Sequence, residues 1–290
     1  MTYQQRATLG ASDTVAINQR YFREKHGKAF VEGSPHLKHK SLGDLCGRLA
    51  TETLHRLPSQ NEPPLVLDMG AGDGMLTLPL LALGAKVIAV DASEELLSDL
   101  KNSAKHYNTL TAICGDVFAV LDDFQRTDRQ FDIICASSFL HHIPDYLGLC
   151  LRAALLLRPG GALFTFQDPL RYDSLGTFTY LFDRMSYFTW RLFQGNYAQG
   201  LQTRLRRARN DYRDDLPEDV AEYHVVRNGV DQTALAASLQ RIGLECTLNS
   251  YWSTQSTLFQ YAGTRLCLKN TFGIVAQKKA VRCSATSSSS

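Results

Sequence analysis

The sequence predicts an α/β protein built on a doubly wound parallel β-sheet, and two observations support this. From residue 65 to residue 168, short apolar runs alternate with patterns of helical periodicity. The runs are apolar throughout instead of alternating with polar residues, as in strands that are buried on both faces. Strand–helix repetition at this spacing is typical of parallel sheets with helices on both sides.

The elements follow one another along the chain in a regular order. Strands are expected at 65–69, 85–91, 110–114, 131–137, 162–167, 244–252 and 271–278. Helices are expected at 13–25, about 41–57, 73–82, 93–106, 117–127, 146–157 and 231–242. The glycine-containing turn RPGG precedes the fifth strand.

The chain divides into five segments. We expect an N-terminal helical lid over 1–40, a cofactor-binding α/β core over 41–169, and the end of that core over 229–279. Residues 170–228 form an insert without strand alternation, far longer than a usual connection of about 2–6 residues. This insert is expected to be a mostly helical, aromatic-rich cap over the substrate, and residues 280–290 a disordered tail.

Composition limits the function classes. Of the 290 residues 44% are hydrophobic and 21% charged, and the net charge is +2, so no nucleic acid or membrane surface is expected as a partner. No apolar stretch reaches membrane-spanning length, and the N-terminus lacks a signal-peptide core, which favours a cytoplasmic protein. The seven cysteines show no Cys-x-x-Cys pair, which favours reduced, buried thiols, including Cys114 and Cys135 in the strands.

The stretch VLDMGAGDG at 66–74 places three glycines directly after the first strand. Glycines let the backbone turn sharply and approach a ligand, and the next helix offers its N–H groups. Asp91 ends the second strand, where an acid can accept both ribose hydroxyls. This pattern predicts an adenosine-containing cofactor. A dinucleotide fingerprint requires a glycine at position 75, where this chain has Met75, so nicotinamide cofactors are disfavoured.

Further motifs stand in register along the sheet. They are LDMGAGDG, VIAVDAS, CGDV, FDIICASSFLHHIPD and LRPGG. As a set they closely resemble the class I S-adenosylmethionine-dependent methyltransferases, in particular the small-molecule branch related to the ubiquinone-pathway C-methyltransferases. The resemblance covers roughly 40–170 and 231–278. It implies S-adenosylmethionine as cofactor and a Rossmann-like seven-stranded sheet of order 3-2-1-4-5-7-6 whose last strand is antiparallel.

The resemblance also implies roles for individual residues. Gly70 and Gly72 approach the methionine part, Asp91 holds the ribose, and Ser137 lines the methionine end through its backbone. The complete set of expected cofactor residues is Tyr21, Asp68, Gly70, Gly72, Gly74, Asp91, Ala92, Asp116, Val117 and Ser137. Two alternatives stay open: Asp68 could instead cap the helix turn, and Tyr21 could simply pack its helix.

His142 and Asp168 are the candidate catalytic bases, because they follow the fourth strand and end the fifth beside the substrate pocket. Structural roles are the alternative for both: packing for one of the adjacent histidines, and a loop-holding hydrogen bond for Asp168. No metal site is expected. The adjacent His141 and His142 should point to different sides, and His36-x-x-His39 has no carboxylate or cysteine with it to complete a ligand set.

The aromatic residues of the insert indicate the class of substrate. Residues 172–197 contain nine aromatics in 26 residues. One helical face is expected to be core, and aromatics on a second side to line the pocket. The core face consists of Phe178, Leu181, Phe182, Met185, Phe188 and Leu192. The expected substrate residues are Phe178, Tyr180, Phe182, Tyr187 and Trp190. The charged run at 204–215 is expected to be a salt-bridged helix, and binding of a phosphate-bearing substrate is the alternative.

These observations predict a methyltransferase that acts at carbon, oxygen or nitrogen of a small lipophilic metabolite, aromatic, indolic or terpenoid, in secondary metabolism. A homo-oligomer is compatible with the sequence. Two alternatives stay open. One is an NAD(P)-dependent oxidoreductase on the same kind of sheet, and the other is a non-catalytic binding protein that retains the cofactor fold.

Overall fold

A computed structural model of the chain describes residues 34–59, 61–192 and 223–280, and within them one seven-stranded sheet. The strands are β1 Leu65–Met69, β2 Lys86–Asp91, β3 Leu110–Cys114, β4 Phe131–Ser137, β5 Leu157–Pro169, β6 Leu244–Tyr251 and β7 Thr271–Lys278. Their order is β3-β2-β1-β4-β5-β7-β6, and only β7 runs antiparallel to its neighbours. This confirms the predicted fold class, strand order and antiparallel last strand.

Helices cover both faces of this sheet. They are α1 Pro35–Lys38, α2 Lys40–His55, α3 Thr77–Ala82, α4 Glu94–Ser103, α5 Val117–Arg126, α6 Tyr146–Leu155, α7 Thr177–Leu192, α8 Tyr223–Arg227, α9 Gln232–Arg241 and α10 Thr257–Arg265. Two buried clusters result, one on each face. The first includes Leu67, Ile134 and Leu163, and the second Val66, Ile133 and Phe164. No helix in the described ranges is long and apolar enough to cross a membrane.

The strand β3 departs from the expected burial. It lies at the edge of the sheet, so each of its side chains is half-buried or exposed and none is fully buried. The prediction of a buried thiol is therefore wrong for Cys114, which is exposed, and correct for Cys135 in the central strand β4.

Several element boundaries differ from the prediction. The helix α3 begins at Thr77 instead of residue 73, because the glycine loop continues through Gly74 at φ +102°. The strand β5 begins at Leu157, five residues early. The expected RPGG turn lies within it as an irregularity, marked by Gly160 at φ +81° and a shift in the pairing with β4. The helix α10 has no predicted counterpart.

The insert helix α7 has its burial reversed relative to the prediction. Four residues of the face expected to be core are exposed: Phe178, Leu181, Met185 and Phe188. The inward face instead carries Ser186, which is fully buried, and the half-buried Phe182, Tyr187 and Trp190. The core prediction for that stripe is therefore wrong. It failed because the polar anchors Asp183 and Ser186 decide which side of the helix faces inward.

Two helices lie at the carboxyl-terminal edge of the sheet. Thr254 follows β6 at this edge, and its carbonyl oxygen is 2.8 Å from Nε2 of His39, next to α1. The hydroxyl of Thr254 bonds to Ser186 of α7. Asn270 precedes β7 and donates to Asp183 of α7 at 2.7 Å. Both α1 and α7 are therefore placed beside the end of β5.

Some expected segments lie outside the described residues. They include most of the lid with its helix at 13–25 and Tyr21, the charged run at 204–215, and residues 281–290 of the tail. Of the lid and the cap, the structure describes 34–40, 170–192 and 223–228.

Candidate active site

The glycine loop joins β1 to α3 at the carboxyl edge of the sheet. The N–H groups of Gly70 and Ala71 donate to the carbonyl of Val90, at 2.8 and 3.0 Å, which ties the loop to β2. All three glycines have a positive φ: +69° at Gly70, +53° at Gly72 and +102° at Gly74. Side chains are strained in this region, so the turn depends on glycine.

The surroundings of the three glycines differ. A Cβ at Gly70 would lie 2.2 Å from the ring of Phe139, and one at Gly74 would lie 2.4 Å from Leu100 of α4. A Cβ at Gly72 would meet nothing within 4 Å. Gly74 therefore serves the packing of the loop, whereas Gly72 presents its backbone to open space into which a ligand can come close.

Asp91 is half-buried at the end of β2 and organises the loop. One carboxylate oxygen accepts from the N–H of Gly72 at 2.9 Å, and the other from the N–H of Ser93 at 2.8 Å. Burial raises the pKa of this carboxyl, while these backbone N–H groups favour its charged form. A carboxylate has about four acceptor positions, so these backbone bonds leave acceptor capacity for a hydroxyl of a ligand.

Asp68 lies beneath the loop and not on its surface. It is buried, and its Oδ2 accepts from the Thr77 hydroxyl at 2.6 Å, at the start of α3. Burial raises the pKa of Asp68 to about 6. This arrangement corresponds to the helix-turn alternative, and we assign Asp68 to holding the loop.

The remaining predicted cofactor residues line the same edge. Asp116 caps α5 by accepting from the N–H of Phe118 at 3.1 Å, and Val117 is buried behind it. Ala92 follows Asp91, and its carbonyl oxygen is 3.7 Å from the thiol of Cys114. Ser137 ends β4, with its hydroxyl 3.6 Å from the sulfur of Met75. The structure thus brings together at one edge all of the predicted cofactor residues that it describes, except Asp68 below it.

A buried acid–base pair lies next to this edge. Asp168 is fully buried, and its Oδ1 accepts from the backbone N–H of His141 at 3.1 Å. The same oxygen is 2.8 Å from Nδ1 of the His141 ring. His142, the predicted base, is also buried, with its ring centroid 4.0 Å from that of His141. The histidine in contact with Asp168 is therefore the neighbour of the predicted one.

Burial shifts both members of the pair toward their neutral forms. It raises the pKa of Asp168 to about 7. It lowers the pKa of His141 to about 3, assisted by the charge of His224. His142 and His224 favour the ionised form of Asp168. At neutral pH the pair accordingly carries at most one negative charge, on the carboxylate.

Two buried side-chain atoms in the described residues have no hydrogen-bond partner: Oδ2 of Asp168 and Nδ1 of His36 on α1. Burial, together with the charge of His141, lowers the pKa of His36 to about 4. His36 is therefore close to the same pair. An unsatisfied buried polar atom costs about 1–3 kcal/mol, and such atoms need an explanation, for example a bound ligand.

The aromatic residues of α7 are divided between its two faces. Phe182 packs against Trp252 and Phe259, with ring centroids 5.5 and 5.1 Å apart. Tyr187 and Trp190 form an inward pair at 6.0 Å. The two other predicted substrate residues are exposed: Phe178, which stacks on Phe182, and Tyr180, which lies under the guanidinium of Arg184.

A family model described as "Methyltransferase domain" matches residues 42–249. The chain belongs to this methyltransferase family. The match includes the glycine loop, Asp91 and the His141–Asp168 pair, so the candidate site lies in the part that defines the methyltransferase. Methyltransferases of this kind use S-adenosylmethionine, and membership therefore favours this cofactor over the nicotinamide alternative.

Curated relatives match a shorter region of the methyltransferase. The ubiquinone biosynthesis O-methyltransferase of Coxiella burnetii (strain RSA 493 / Nine Mile phase I) is 39% identical over 100 residues. That of Xanthomonas campestris pv. campestris (strain B100) is 35% identical over 101 residues. Each match covers 34% of this chain and 41% of the relative, less than half of the relative's length.

Solved structures share the fold over nearly the whole chain. The magnesium protoporphyrin IX methyltransferase from Synechocystis PCC 6803, solved with bound SAM, has a TM-score of 0.54 and 14% identity, covering 95% of this chain and all of that one. The plantazolicin methyltransferase BpumL, solved with SAH, has a TM-score of 0.54 and 12% identity, covering 92% and 95% of the two chains. At these identities the likeness shows the fold alone.

The residues present fit S-adenosylmethionine. Open space lies over the backbone of Gly72, and a side chain at this position would occupy part of the space available to a ligand. Asp91 retains acceptor capacity beside it. Among the described residues, no group of three or more histidine, cysteine or carboxylate side chains is placed to hold a metal ion.

Proposed function

We propose that this methyltransferase methylates an oxygen atom of a small, lipophilic, ring-bearing metabolite of secondary metabolism, with S-adenosylmethionine as methyl donor. The observation that carries the proposal is the buried contact between His141 Nδ1 and Asp168 Oδ1 at the carboxyl edge of the sheet. A hydroxyl acceptor must lose a proton, and burial keeps the His141 ring neutral, so that one of its nitrogens can accept it. The curated relatives, which are named O-methyltransferases, give independent support.

The cofactor rests on the first half of the sheet in this proposal. The backbones of Gly70, Gly72 and Ser137 face its methionine part, and Asp91, with Ala92 beside it, accepts from the ribose hydroxyls. Asp116 and Val117 hold the adenine. When bound, the cofactor supplies a methyl group on a positively charged sulfur, and the protein's task is to align the acceptor with that methyl in a dry site.

The pair moves the acceptor's proton. When His141 Nδ1 carries its hydrogen and donates to the Asp168 carboxylate, Nε2 is left as the base. Nε2 takes the hydroxyl proton as the acceptor oxygen reacts, and the negative charge of Asp168 stabilises the resulting imidazolium. Because the pKa of Asp168 is about 7, this stabilising charge is present above neutral pH and is lost as the pH falls.

The acceptor pocket in this proposal lies between the pair and the inward face of α7. Oδ2 of Asp168 and Nδ1 of His36 offer hydrogen-bonding positions to a polar group of the acceptor. Tyr187, Trp190 and Phe182 supply half-buried aromatic surface for its apolar part. Burying one large ring contributes about 1.5–3 kcal/mol, enough to select apolar acceptors.

The test is product analysis with methyl-labelled S-adenosylmethionine and a panel of phenolic, indolic and terpenoid compounds. We expect a labelled methyl ether by mass spectrometry. His141→Ala and Asp168→Asn should each lower turnover by about 10²–10⁴, and the parent's rate should rise with pH to a plateau above 7. His142→Ala tests the neighbouring ring and should lower turnover less than His141→Ala does, because His142 acts only through the charge of Asp168. The exposed His106→Ala is the control that should retain the rate.

Carbon methylation is the second candidate, and the inward aromatic pair of Tyr187 and Trp190 favours it, because rings stabilise positive charge on an acceptor carbon. In that case Tyr187→Leu or Trp190→Leu lowers turnover far more than His141→Ala does. A labelled carbon–methyl product together with an active His141→Ala variant would overturn the proposed oxygen acceptor.

A further inference from the structure

The strand β5 contains one extra residue just before Asp168. Thr165 pairs with Ile274 of β7, and Asp168 pairs with Phe272, so three steps along β5 match two steps along β7. Such a β-bulge re-aims the side chains that follow it and is common next to active sites.

The bulge moves Asp168 to the other face of the sheet. Phe164 and Phe166 belong to the buried cluster on one face, whereas Leu170 belongs to the cluster on the opposite face, with Leu140 and Cys150. In a regular strand residues 164, 166, 168 and 170 would share one face. The extra residue therefore places Asp168 on the side of His141, and a regular strand would turn it away.

The bulge has a conformational cost at Gln167. Its φ is +67°, in the left-handed region that residues other than glycine seldom adopt. Such a conformation costs about 1–3 kcal/mol and persists only where the surroundings hold it. Its N–H also points away from the regular ladder and needs an acceptor of its own.

Tyr251, at the end of β6, provides that acceptor. Its hydroxyl oxygen accepts from the N–H of Gln167 at 2.8 Å, across the intervening strand β7. The side-chain amide of Gln167 donates to the hydroxyl of Ser253 at 2.5 Å. The Tyr251 ring stacks on Phe166, with centroids 5.0 Å apart. At Gly273 of β7, a Cβ would lie 2.5 Å from the Thr165 carbonyl, so glycine there admits the bulge.

We propose that Tyr251 is a positioning residue for the acid–base pair: its hydroxyl holds the bulge at Gln167, and the bulge directs the Asp168 carboxylate onto His141. The importance of this positioning for turnover rests on the proposed function. Tyr251 itself acts through Gln167 and takes no part in the proton transfer.

The test follows the Asp168 carboxyl by ¹³C NMR and the His141 ring by ¹⁵N NMR in the full chain without ligands, with Asp168→Asn for assignment. In Tyr251→Phe the ring stack on Phe166 is kept and only the hydroxyl is lost. We expect the carboxyl to turn toward water, so that its pKa falls from near 7 toward the ordinary value of about 4. The Nδ1 resonance of His141 should lose its hydrogen-bonded shift.

Two further variants separate positioning from general damage. Tyr261→Phe changes an exposed tyrosine of α10 and should leave both signals unchanged. Adding Gln167→Gly to Tyr251→Phe should restore both signals, because glycine adopts φ +67° without being held there. Should Tyr251→Phe fail to fold, Ser253→Ala tests the other hydrogen bond of Gln167 and should shift both signals in the same direction.

The titratable groups around Asp168 are followed in the same spectra, so that their titrations are not mistaken for its own. They are His141, His142, His224, Cys150 and Tyr251. Unchanged Asp168 and His141 signals in Tyr251→Phe would overturn the proposal, and so would the absence of rescue by Gln167→Gly. Because neither signal needs cofactor or acceptor, full turnover in Asp168→Asn would refute the proposed function separately.

Discussion

At the scale of single residues, Asp91 serves both the loop and the proposed cofactor site. Replacing it with alanine removes the acceptor for the N–H groups of Gly72 and Ser93 as well as that for the ribose. We expect Asp91→Ala to weaken binding of S-adenosylhomocysteine by about 2 kcal/mol or more, roughly 30-fold, because a charged acceptor of several hydrogen bonds is lost.

Titration calorimetry measures this loss, and Asp91→Asn serves as the control because it keeps one acceptor oxygen. The asparagine variant should lie between the parent and Asp91→Ala. An alanine variant that binds as tightly as the parent would remove Asp91 from the cofactor site.

The Asp168 carboxyl is expected to lower the stability of the folded protein in the same pH range in which its negative charge would support catalysis. An unfolded aspartate has a pKa of about 4, and burial raises that of native Asp168 to about 7. Between these values the native state holds a proton that the unfolded state has released, so stability falls as pH rises through this window and then levels off. Asp168→Asn carries no such proton and should be the more stable protein above pH 7, by about 1–3 kcal/mol.

Urea unfolding at pH 5.5 and pH 8 measures the effect, with Asp99→Asn as an exposed control. The advantage of Asp168→Asn over the parent should be larger at pH 8, and the control should show no such difference. An advantage that is equal at both pH values would mean that the native carboxyl titrates like an exposed one.

The sequence predicted the positions of the residues on the proposed cofactor side better than the contacts of the acid–base pair. Gly72, Asp91 and Asp116 follow directly from strand ends and a helix cap, which are local features. His141 and His142 are adjacent, and only the short 3₁₀ turn at Leu140–His142 decides which ring contacts Asp168. The contact of Tyr251 with Gln167 joins residues 84 positions apart, and no local pattern indicates it.

At the scale of elements, the boundaries of β1, β3, β4 and β7 were predicted closely, because these strands are defined by their own apolar runs. The predictions failed where contacts between residues distant in sequence determine the structure of an element. The burial of α7 follows polar anchors on the β6–α10 loop and before β7, which override its apolar stripe. The bulge in β5 depends on Tyr251 and Gly273, neither of which lies on β5.

The helix α7 should loosen when its polar anchor is removed. Asp183→Ala deletes the acceptor of the 2.7 Å hydrogen bond from Asn270, worth about 1.5–3 kcal/mol for a charged partner. We expect amide hydrogen exchange in α7 to become at least about tenfold faster while S-adenosylhomocysteine affinity stays unchanged.

Met185→Ala is the matched control, since Met185 lies on the exposed face of the same helix. It should leave exchange in α7 nearly unchanged. If both variants exchange alike, the anchor does not hold the helix, and if cofactor affinity falls with Asp183→Ala, α7 also takes part in cofactor binding.

At the scale of the whole molecule, ligand binding should raise the melting temperature selectively. A ligand at about 100 times its Kd stabilises the native state by about 2.7 kcal/mol. For a chain of this size this corresponds to roughly 5–10 °C. We expect S-adenosylhomocysteine to give such a shift and NAD at the same concentration to give none. A thermal shift assay decides this, and an equal shift with NAD would contradict the assignment of the cofactor.

The position of β7 has a consequence for how the protein is made. This strand is synthesised last of the seven, yet it lies between β5 and β6. Until it leaves the ribosome, β5 has an unpaired edge that can pair wrongly with other strands. The bulge before Asp168 is defined against Phe272 and Ile274 of this strand. The nascent chain can therefore complete its glycine loop early, but the acid–base pair is assembled only after β7 has been synthesised.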